Sequence, residues 1–504
     1  MKKISKQAKL NIVFIAFFAL VLMVPLCFIN LKPEQGSEIE NKMLAEWPEK
    51  ITLKGETTAA LEDYFNDRIG FREPAIGLYT ELNNKLFGVM VHPLFMWGSE
   101  GHIYYKDKDY IKAYQRMNTD PVFIDSLIDF LKETKDYLDK KEIPFVYFVC
   151  PDKKTIYPEY FPDTINVNED NISVLDYLDE HMKDSGVPYI NPREELSNAK
   201  KDLVVYNKLY DATHWNDFGA FIGHCMLSDY IGKTFDDVKM LDVNDYNLEF
   251  VNMTTLDNAK FAISDDVPLY SLKYDASLDY TELLRSDLES QCETTTFYTH
   301  HINPEAENDK ILLVFTDSYF QAHQKYYDNR FKEVYFVHRQ NYAYVQYFVN
   351  LVFPDMVIFE TAERSISSEM PMTEDFTGYS YEMPYTGEGD WTQSTDVGYT
   401  VINTVGCHIE DSDIVLDNAD STGIVRIECT LDAANPYDYD VYALTDAETI
   451  ETDYCEQMRK SEEEGVKLFS VNIQRRFMAQ SSIKLVAVDR ATGDEILLEN
   501  FGVR

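Results

Sequence analysis

Apolar residues first form one long uncharged run near the start of the chain. The run extends from Leu10 to Leu31 and follows a cluster of lysines. As a helix rising ~1.5 Å per residue, it is long enough to cross a hydrocarbon layer of ~30 Å. A cleaved signal peptide is the competing interpretation, but the run exceeds the usual apolar core of ~7–15 residues. We therefore predict a transmembrane anchor over residues 1–31, with the rest of the chain outside the cytoplasm because the lysines stay inside.

Apolar residues at helical spacing follow in residues 32–90. After a polar tether they recur among charged residues from Thr58 to about Phe87, and Gly70 and Pro74 interrupt the pattern. Such spacing is typical of amphipathic helices. We predict a tether and a helical collar that packs on the next domain.

Short, wholly apolar runs alternate with helical patterns over residues 91–366. The runs are Phe145–Cys150, Ile311–Phe315 and Met356–Phe359, and a helical pattern precedes the first of them. Strands without polar alternation are typical of a parallel sheet that is buried on both faces. The prediction is an α/β fold, specifically a three-layer α/β/α domain with a parallel sheet. An acidic, weakly periodic stretch at about 234–309 is interpreted as an insertion.

The pattern changes in residues 370–504 to short runs rich in Thr, Val, Ile and Tyr, separated by turn residues. This predicts a C-terminal antiparallel β domain that resembles a β-sandwich. Its aromatic side chains are able to stack on sugars, although aromatic residues in a small β domain more often form the core. These residues are Trp391, Tyr399, Tyr437, Tyr439 and Tyr442.

The charge of the chain removes one class of partner. The 504 residues carry 46 Lys and Arg against 87 Asp and Glu, a formal net charge of −41. Nucleic-acid binding draws most of its affinity from cationic side chains that neutralise phosphates. We therefore predict no nucleic-acid partner.

The cysteines are widely scattered and show no spacing typical of a zinc site. Isolated buried thiols are the simplest interpretation. A bridge between Cys407 and Cys429 is the alternative.

The most informative motif is the run Tyr210-Asp-Ala-Thr-His-Trp-Asn-Asp-Phe-Gly-Ala220. It places the carboxylate of Asp211 three residues before His214, in a loop that ends where Asn216 or Asp217 can cap a helix. A base in acyl transfer needs one imidazole nitrogen free for a hydroxyl proton and the other held by a carboxylate. Asp211 and His214 offer that pair from one loop, although an isolated Asp-x-x-His is more often an ordinary surface or capping motif.

The second motif is an apolar strand that leads directly into Thr316-Asp317-Ser318. A hydroxyl at the carboxyl end of a parallel strand lies where α/β sheets bind ligands, and the next helix offers a backbone N–H to an oxyanion. Ser318 is therefore a candidate nucleophile. The alternative is that Asp317 and Ser318 only cap the helix.

Together the two motifs resemble those of the AlgJ/AlgX-like, DHHW-type group of SGNH-fold polysaccharide O-acetyltransferases. Asp211-x-x-His214-Trp is similar to the signature loop of that group, and Thr316-Asp-Ser318 is similar to its Gly-Asp-Ser block. The chain departs from the group at Ala212, where the group has Asp, and at Thr316, where it has Gly. Further similar stretches, within roughly residues 35–366, are Glu40-Asn-Lys42, Tyr64–Arg72, Met96–Tyr104, Pro151–Pro158 and Pro354–Arg364.

The resemblance implies a mechanism and partners. It implies that His214, oriented by Asp211, takes the proton of Ser318, whose hydroxyl accepts an acetyl group and passes it to a sugar. It also implies a polysaccharide substrate, a multispanning membrane acyltransferase as acetyl donor and no soluble cofactor. A glycan acetyl esterase with the same triad is one alternative. An inactive polysaccharide-binding scaffold is another, consistent with Ala212 and Thr316.

Other polar side chains have less defined roles. Three candidates for a second oxyanion donor follow a later strand, each with a structural role as the alternative: Asn341, Arg339 and His338. Lys153 and Lys154 are candidates for lining a cleft, with solvated side chains as the simpler interpretation. We expect Trp215 to pack beneath the His loop rather than to stack on a sugar. Because no set of ligands at metal spacing accompanies the remaining histidines, we expect no metal site; these are His300, His301 and His323.

Overall fold

The computed structural model describes residues 6–32, 36–37, 42–48, 55–92, 94–256, 262–289, 292–368, 376, 397–417, 424–447, 454–463, 465–474, 478 and 481–504. The helices are α1 Lys6–Cys27, α2 Gly55–Arg68, α3 Arg72–Phe87, α4 Lys108–Tyr114, α5 Pro121–Asp139, α6 Lys153–Ile156, α7 Val174–Met182, α8 Arg193–Ala199, α9 Asp217–Thr234, α10 Thr281–Leu288, α11 Ser318–Gln321 and α12 Val345–Val352. The strands are β1 Gly36–Ser37, β2 Lys42–Met43, β3 Phe95–Trp97, β4 Ile103–Tyr105, β5 Phe145–Cys150, β6 Tyr189–Ile190, β7 Tyr246–Thr255, β8 Ala262–Leu272, β9 Leu278–Asp279, β10 Thr299–Ile302, β11 Ile311–Thr316, β12 Glu333–His338, β13 Met356–Ala362, β14 Gly398–Val405, β15 Cys407–Glu410, β16 Asp413–Leu416, β17 Ile424–Asp432, β18 Tyr439–Ala447, β19 Tyr454–Gln457, β20 Arg459–Glu463, β21 Val466–Gln474, β22 Ser481–Asp489 and β23 Glu495–Val503.

Helix α1 contains the first part of the long apolar run. Its 18 residues Leu10–Cys27 have a mean hydropathy of 2.7, and none of this window is buried inside the structure. By length and composition the helix is able to cross a membrane, and a signal sequence has the same properties.

The central sheet has seven strands in the order β6-β5-β13-β11-β12-β10-β9. The strands from β6 to β12 pair in parallel, whereas β10 pairs antiparallel with both β12 and β9. The α/β fold class is confirmed. The stretch at about 234–309 is more than an insertion, because it supplies β9 and β10 to the edge of this sheet. These strands of two and four residues are too short to be recognised by periodicity.

Both faces of the sheet are buried, which explains why the strand sequences do not alternate. In β5, the side chains of Tyr147 and Val149 face one apolar cluster, whereas those of Val146 and Phe148 face the other. Helices α5, α7, α10 and α12 contribute to the first cluster, and α8, α9 and α11 contribute to the second. Period-two alternation therefore separates two apolar environments instead of separating core from water.

The described part of residues 370–504 forms two sheets, in the orders β14-β17-β21-β20 and β15-β16-β23-β22-β18-β19. Their buried side chains share one apolar cluster, and Tyr399, Tyr437 and Tyr439 pack against it. Cys429 is a free thiol, so the alternative of a bridge between Cys407 and Cys429 is wrong. Each of the two cysteines is buried within a strand and packs there as a small apolar residue. Tyr442 is half-buried, and Trp391 lies outside the described residues.

Candidate active site

Three neighbouring parallel strands bring their carboxyl ends together at one edge of the central sheet. Strand β11 leads into Ser318, β13 leads into Arg364, and β5 leads into Asp152. Because β13 pairs with both β5 and β11, these three residues follow adjacent strands. This edge is where open α/β sheets position ligands.

His214 links the candidate nucleophile to the candidate carboxylate. Its Nε2 lies 2.9 Å from the Ser318 hydroxyl, and its Nδ1 lies 2.9 Å from Asp211 Oδ2. The side chains of His214 and Asp211 are 27% and 19% exposed, so small molecules are able to reach the group. The sequence-predicted residues Ser318, His214 and Asp211 are therefore brought together in one hydrogen-bonded chain.

A turn explains how a carboxylate three residues before the histidine reaches its ring. Asp211 Oδ1 accepts the backbone N–H groups of Thr213 (2.7 Å) and His214 (2.9 Å), which folds the chain back over the carboxylate. The intervening Ala212 is buried in a small apolar cluster. Burial would raise the pKa of Asp211, but the His214 ring and these hydrogen bonds lower it well below its ordinary value.

Arg364 is a member of the site to which the sequence analysis gave no role. Its Nη2 lies 3.0 Å from His214 Nε2, and its Nη1 donates to Asp152 Oδ1 at 2.5 Å. A guanidinium is only able to donate, so Nε2 must accept, and the ring hydrogen then lies on Nδ1 facing Asp211. Two donors, Arg364 and the Ser318 hydroxyl, thus converge on the nitrogen that would act as the base.

The site presents a backbone donor beside the nucleophile. The N–H of Ser318 donates to no group within the described part of the chain. The carboxylate of Asp317 caps helix α11 by accepting the N–H of Tyr319 at 3.0 Å, and its other oxygen accepts the N–H of Ala362 at 2.9 Å. Capping by Asp317 leaves the Ser318 N–H available for an oxyanion.

The three sequence candidates for a further oxyanion donor have other partners. The amide of Asn341 is fully buried and bonds the backbone of Glu293 and Thr294. His338 accepts the N–H of Gln340, and burial together with Arg339 lowers the pKa of His338 to about 4. Arg339 lies 3.8 Å from Asp317 Oδ2. Their roles in this structure are to hold loops and to balance the charge of Asp317.

Thr316 is accommodated without a glycine-like backbone. It is the last residue of β11, it is fully buried, and its φ is not positive. Its hydroxyl donates to Glu360 Oε2 (2.8 Å), which also accepts the N–H of Asp317 (2.9 Å). Burial, with the charge of Asp317 added, raises the pKa of Glu360 well above its ordinary value. A β-branched residue is favourable at this extended position.

Both lysines after β5 are buried, so the interpretation of solvated side chains is wrong. Lys153 Nζ donates to the carbonyls of Ile103 (2.9 Å), Lys208 (3.1 Å) and Asp211 (3.1 Å), and burial lowers its pKa to about 7. Lys154 pairs with Glu363 (2.6 Å) and Asp152 (3.1 Å). The physical reason for their burial is that each ammonium finds oxygen partners that replace water.

A second set of contacts joins the loop of His214 to the helix of Ser318. The hydroxyl of Tyr319 donates to the carbonyl of Thr213 (2.8 Å), and the indole of Trp215 donates to the carbonyl of Tyr319 (3.4 Å). His323 lies between Tyr319 O (2.6 Å) and Asp217 Oδ1 (3.2 Å). The prediction that Trp215 packs beneath the loop is confirmed, since its ring is 4% exposed.

Part of the stretch at about 234–309 also supports the His loop. Asp265, on strand β8, accepts the backbone N–H groups of Leu209 (2.7 Å) and Tyr210 (3.0 Å). The N–H of Tyr270 donates to Asp217 at 2.5 Å. Nothing in local sequence periodicity indicates such contacts, because they join segments about 50 residues apart.

The remaining histidines considered as metal ligands bind protein groups. His300 Nε2 lies 2.6 Å from Glu333, and His301 Nδ1 lies 3.1 Å from Asp328. Among the described residues, no group of three or more His, Cys, Asp and Glu is arranged to hold a metal ion.

Comparison with known proteins finds similar solved structures. No family model and no curated protein matches the chain. Bacillus cereus PatB1 is similar at 16% identity and a TM-score of 0.42, with 56% of this chain and 99% of that chain covered. The O-acetyltransferase domain of Pseudomonas putida AlgJ is similar at 14% identity and a TM-score of 0.36, with 56% and 94% covered. A DHHW family protein from Eubacterium siraeum is similar at 14% identity and a TM-score of 0.38, with 58% and 100% covered.

Two of these structures carry the names AlgJ and DHHW, which are also the names of the group that the sequence motifs resemble.

Proposed function

We propose that the chain is an extracytoplasmic O-acetyltransferase that acts on a cell-surface or exported polysaccharide through an acyl-enzyme on Ser318. In this proposal α1 is a single-pass membrane anchor. An SGNH-like three-layer domain carries the triad, and the C-terminal β strands form a separate antiparallel domain. The acetyl donor is a multispanning membrane acyltransferase, since the chain outside the membrane has no access to acetyl-CoA.

The observation that carries the proposal is the arrangement around His214. One ring nitrogen faces the Asp211 carboxylate at 2.9 Å, and the other faces the Ser318 hydroxyl at 2.9 Å. This is the arrangement that activates a serine for nucleophilic attack. Ala212 and Thr316, which motivated the inactive-scaffold alternative, leave these contacts intact.

In the first half-reaction, Ser318 Oγ attacks the acetyl carbonyl carbon while its proton moves to His214 Nε2. The carbonyl oxygen becomes an oxyanion beside the Ser318 N–H, and the tetrahedral intermediate then expels the donor's oxygen, which takes the proton from Nε2. Asp211 stabilises the imidazolium that forms between these steps. The product is an acetyl ester on Ser318.

In the second half-reaction, a sugar hydroxyl gives its proton to Nε2 and attacks the acetyl ester. Ser318 Oγ leaves and recovers the proton, which regenerates the free enzyme. Water in place of the sugar would make the protein an esterase, so the identity of the acceptor decides between these two activities.

Arg364 contributes a fixed positive charge beside the reacting atoms. Its Nη2 and the Ser318 hydroxyl both lie about 3 Å from the same nitrogen. In the ground state the guanidinium donates to His214 Nε2, which places the ring hydrogen on Nδ1 facing Asp211. When an oxyanion forms, the same charge favours it.

The test measures acyl transfer by the full-length chain in detergent. The chain is incubated with p-nitrophenyl acetate, with and without a panel of oligosaccharides, beside Ser318→Ala and His214→Ala. We expect nitrophenol release and an acetyl mass on the peptide of Ser318 in the wild type, and neither in the two variants. Acetylated oligosaccharide in the product identifies a transferase, and free acetate alone identifies an esterase. Equal release by all three proteins would contradict the proposal.

A further inference from the structure

Helix α3 exposes an apolar face to its surroundings. The side chains of Leu78, Tyr79, Leu82 and Leu86 lie on one side of the helix, and each is between 47% and 69% exposed. Leu78 and Leu82, and Leu82 and Leu86, are four residues apart, and Tyr79 and Leu82 are three apart, which keeps these side chains on a single stripe. Phe87, the last residue of the helix, and Val89 just after it are also exposed, at 72% and 51%. A contiguous apolar surface of this kind marks a binding surface.

The opposite face of α3 is the one that packs on the protein, and it carries polar groups. Thr80 is fully buried and donates to the carbonyl of Val91 at 2.5 Å. Asn84, one turn later, accepts the indole N–H of Trp97 at 3.0 Å. A surface helix of a water-soluble protein normally has the reverse arrangement, with its apolar side inward. The exposed stripe is therefore not explained by packing within this chain.

Helix α3 begins beside the end of the apolar helix α1. The ring of Phe71, just before α3, lies 5.1 Å from the ring of Phe28, just after α1. The N–H of Gly70 donates to the carbonyl of Pro25 at 3.0 Å, and a Cβ at Gly70 would approach Phe28 Cβ to 2.6 Å. Arg68, 1% exposed, donates to the carbonyls of Asn30 (3.3 Å) and Lys32 (2.5 Å). The turn that starts α3 is thus fixed to the end of α1.

We propose that α3 lies on the outer surface of the lipid bilayer, with the stripe of Leu78, Tyr79, Leu82 and Leu86 in the boundary between headgroups and acyl chains. The proposal rests on the anchoring role of α1 given above. If α1 spans the membrane, its last residues reach the lipid surface. Because the start of α3 is fixed to those residues, the apolar face of α3 is in position to enter the boundary between headgroups and acyl chains. Helices with one apolar face are held in this way.

The charges and aromatic residues of this region also favour lipid. Glu81 and Lys85 pair at the edge of the stripe, so the surface adds no net charge there. Tyr79 on the stripe and Trp47, whose ring packs against Tyr64 and Phe65 of α2, are both about half exposed, and such rings are enriched at membrane interfaces. The binding is therefore apolar in origin, and it should depend little on the charge of the headgroups.

The test places a photoreactive benzoylphenylalanine on each side of the helix. Full-length chains with Leu82 or Leu86 replaced are reconstituted into phosphatidylcholine vesicles and irradiated, and Glu81 replaced in the same way is the matched control. We expect lipid adducts at positions 82 and 86 at about ten times the level at position 81, because only the stripe enters the bilayer. Intact mass reports at the same time whether residues 6–27 are retained.

Equal, low lipid labelling at the three positions would overturn the proposal. The same irradiation in native membranes provides the second measurement, and an adduct to another polypeptide at positions 82 and 86 would overturn it in favour of a protein partner. Neither readout depends on turnover. Ser318→Ala should lose acyl transfer and keep the lipid adducts, because membrane contact by α3 does not depend on the proposed reaction at Ser318.

Discussion

Two of the histidine–aspartate pairs use carboxylates that lie close together in sequence, Asp211 and Asp217, and they differ in what the second ring nitrogen faces. In the pair of His214 and Asp211, that nitrogen is approached by two donors, the Ser318 hydroxyl and Arg364. In the pair of His323 and Asp217, it faces the backbone carbonyl of Tyr319 at 2.6 Å. His323 therefore has acceptors on both sides and no nitrogen free to take a proton.

The comparison shows that pairing with a carboxylate does not by itself make a histidine a base. Exposure separates the two pairs as well, since the His214 side chain is 27% exposed and that of His323 is 7% exposed. The first pair has the features of a reacting group. The second pair joins the start of α9 to the end of α11, and so holds the two segments that carry His214 and Ser318.

The sharpest test changes each carboxylate to its amide. Asp211→Asn should reduce the rate of Ser318 acylation by about 10³–10⁴-fold, because an amide no longer stabilises the imidazolium or fixes the ring hydrogen on Nδ1. Its oxygen still accepts the N–H groups of Thr213 and His214, so the turn should persist. The measurement is the burst of nitrophenol from p-nitrophenyl acetate.

Asp217→Asn is the matched control. Three donors converge on Asp217, from His323, Lys325 (2.6 Å) and the N–H of Tyr270. An amide nitrogen is unable to accept one of them, so we expect a loss of about 1–3 kcal/mol in the free energy of unfolding, with acylation reduced less than about tenfold. A large loss of acylation in this variant at unchanged stability would remove the distinction between the pairs.

Substitution of Arg364 tests whether the charge beside the first pair contributes to acylation. Arg364→Met should lower the acylation rate by about 10–100-fold, since it removes a charge beside the oxyanion. The KM for p-nitrophenyl acetate should change much less, because the charge acts on the transition state rather than on the bound substrate. Arg364→Lys should give an intermediate rate. An acylation rate equal to that of the wild type would mean that Arg364 acts only by supporting Asp152.

His323→Asn tests whether the second pair has only a structural role. The Asn amide is able to keep the hydrogen bond to the carbonyl of Tyr319 but loses the contact with Asp217. We expect a decrease of about 1–2 kcal/mol in the free energy of unfolding and a pH–rate profile that superimposes on that of the wild type. A shifted profile would indicate that His323 takes part in proton transfer.

The smallest effect concerns Glu360, the buried carboxyl beneath Asp317. Its raised pKa means that the folded state binds the proton more tightly than the unfolded chain, whose glutamates titrate near about 4.3. The resulting stability is present below that value and is lost as the pH rises through the folded pKa. Glu360→Gln keeps an acceptor for Thr316 and Asp317 without a charge. Its apparent melting temperature should therefore exceed that of the wild type by a margin that grows with pH, and a margin independent of pH would contradict this account.

Local sequence was sufficient to predict the strands that carry the site and the two triad segments. Phe145–Cys150 and Ile311–Thr316 are buried on both faces, so their composition is uniform and easy to recognise. The Asp211-to-His214 spacing already contains the turn that joins the two side chains. These features depend on residues close together along the chain.

The parts that sequence did not indicate depend on distant contacts. Arg364 reaches His214 from 150 residues away, and its only local signal is that it follows the carboxyl end of a parallel strand next to β11. The burial of Lys153 depends on three carbonyls from two other segments, one at Ile103 and one at Lys208 and Asp211. Asn341 follows a strand next to the one that leads into Ser318, but its amide is hydrogen-bonded to the backbone of residues 293–294.

The bond between Arg364 and Asp152 spans 212 residues of sequence, and this sets when the protein becomes competent during biosynthesis. A chain emerges from the ribosome N-terminus first, and contacts so far apart form late and slowly. The serine and histidine are both synthesised before the arginine that completes their surroundings. A nascent chain therefore lacks this contact until all seven strands of its central sheet have been synthesised.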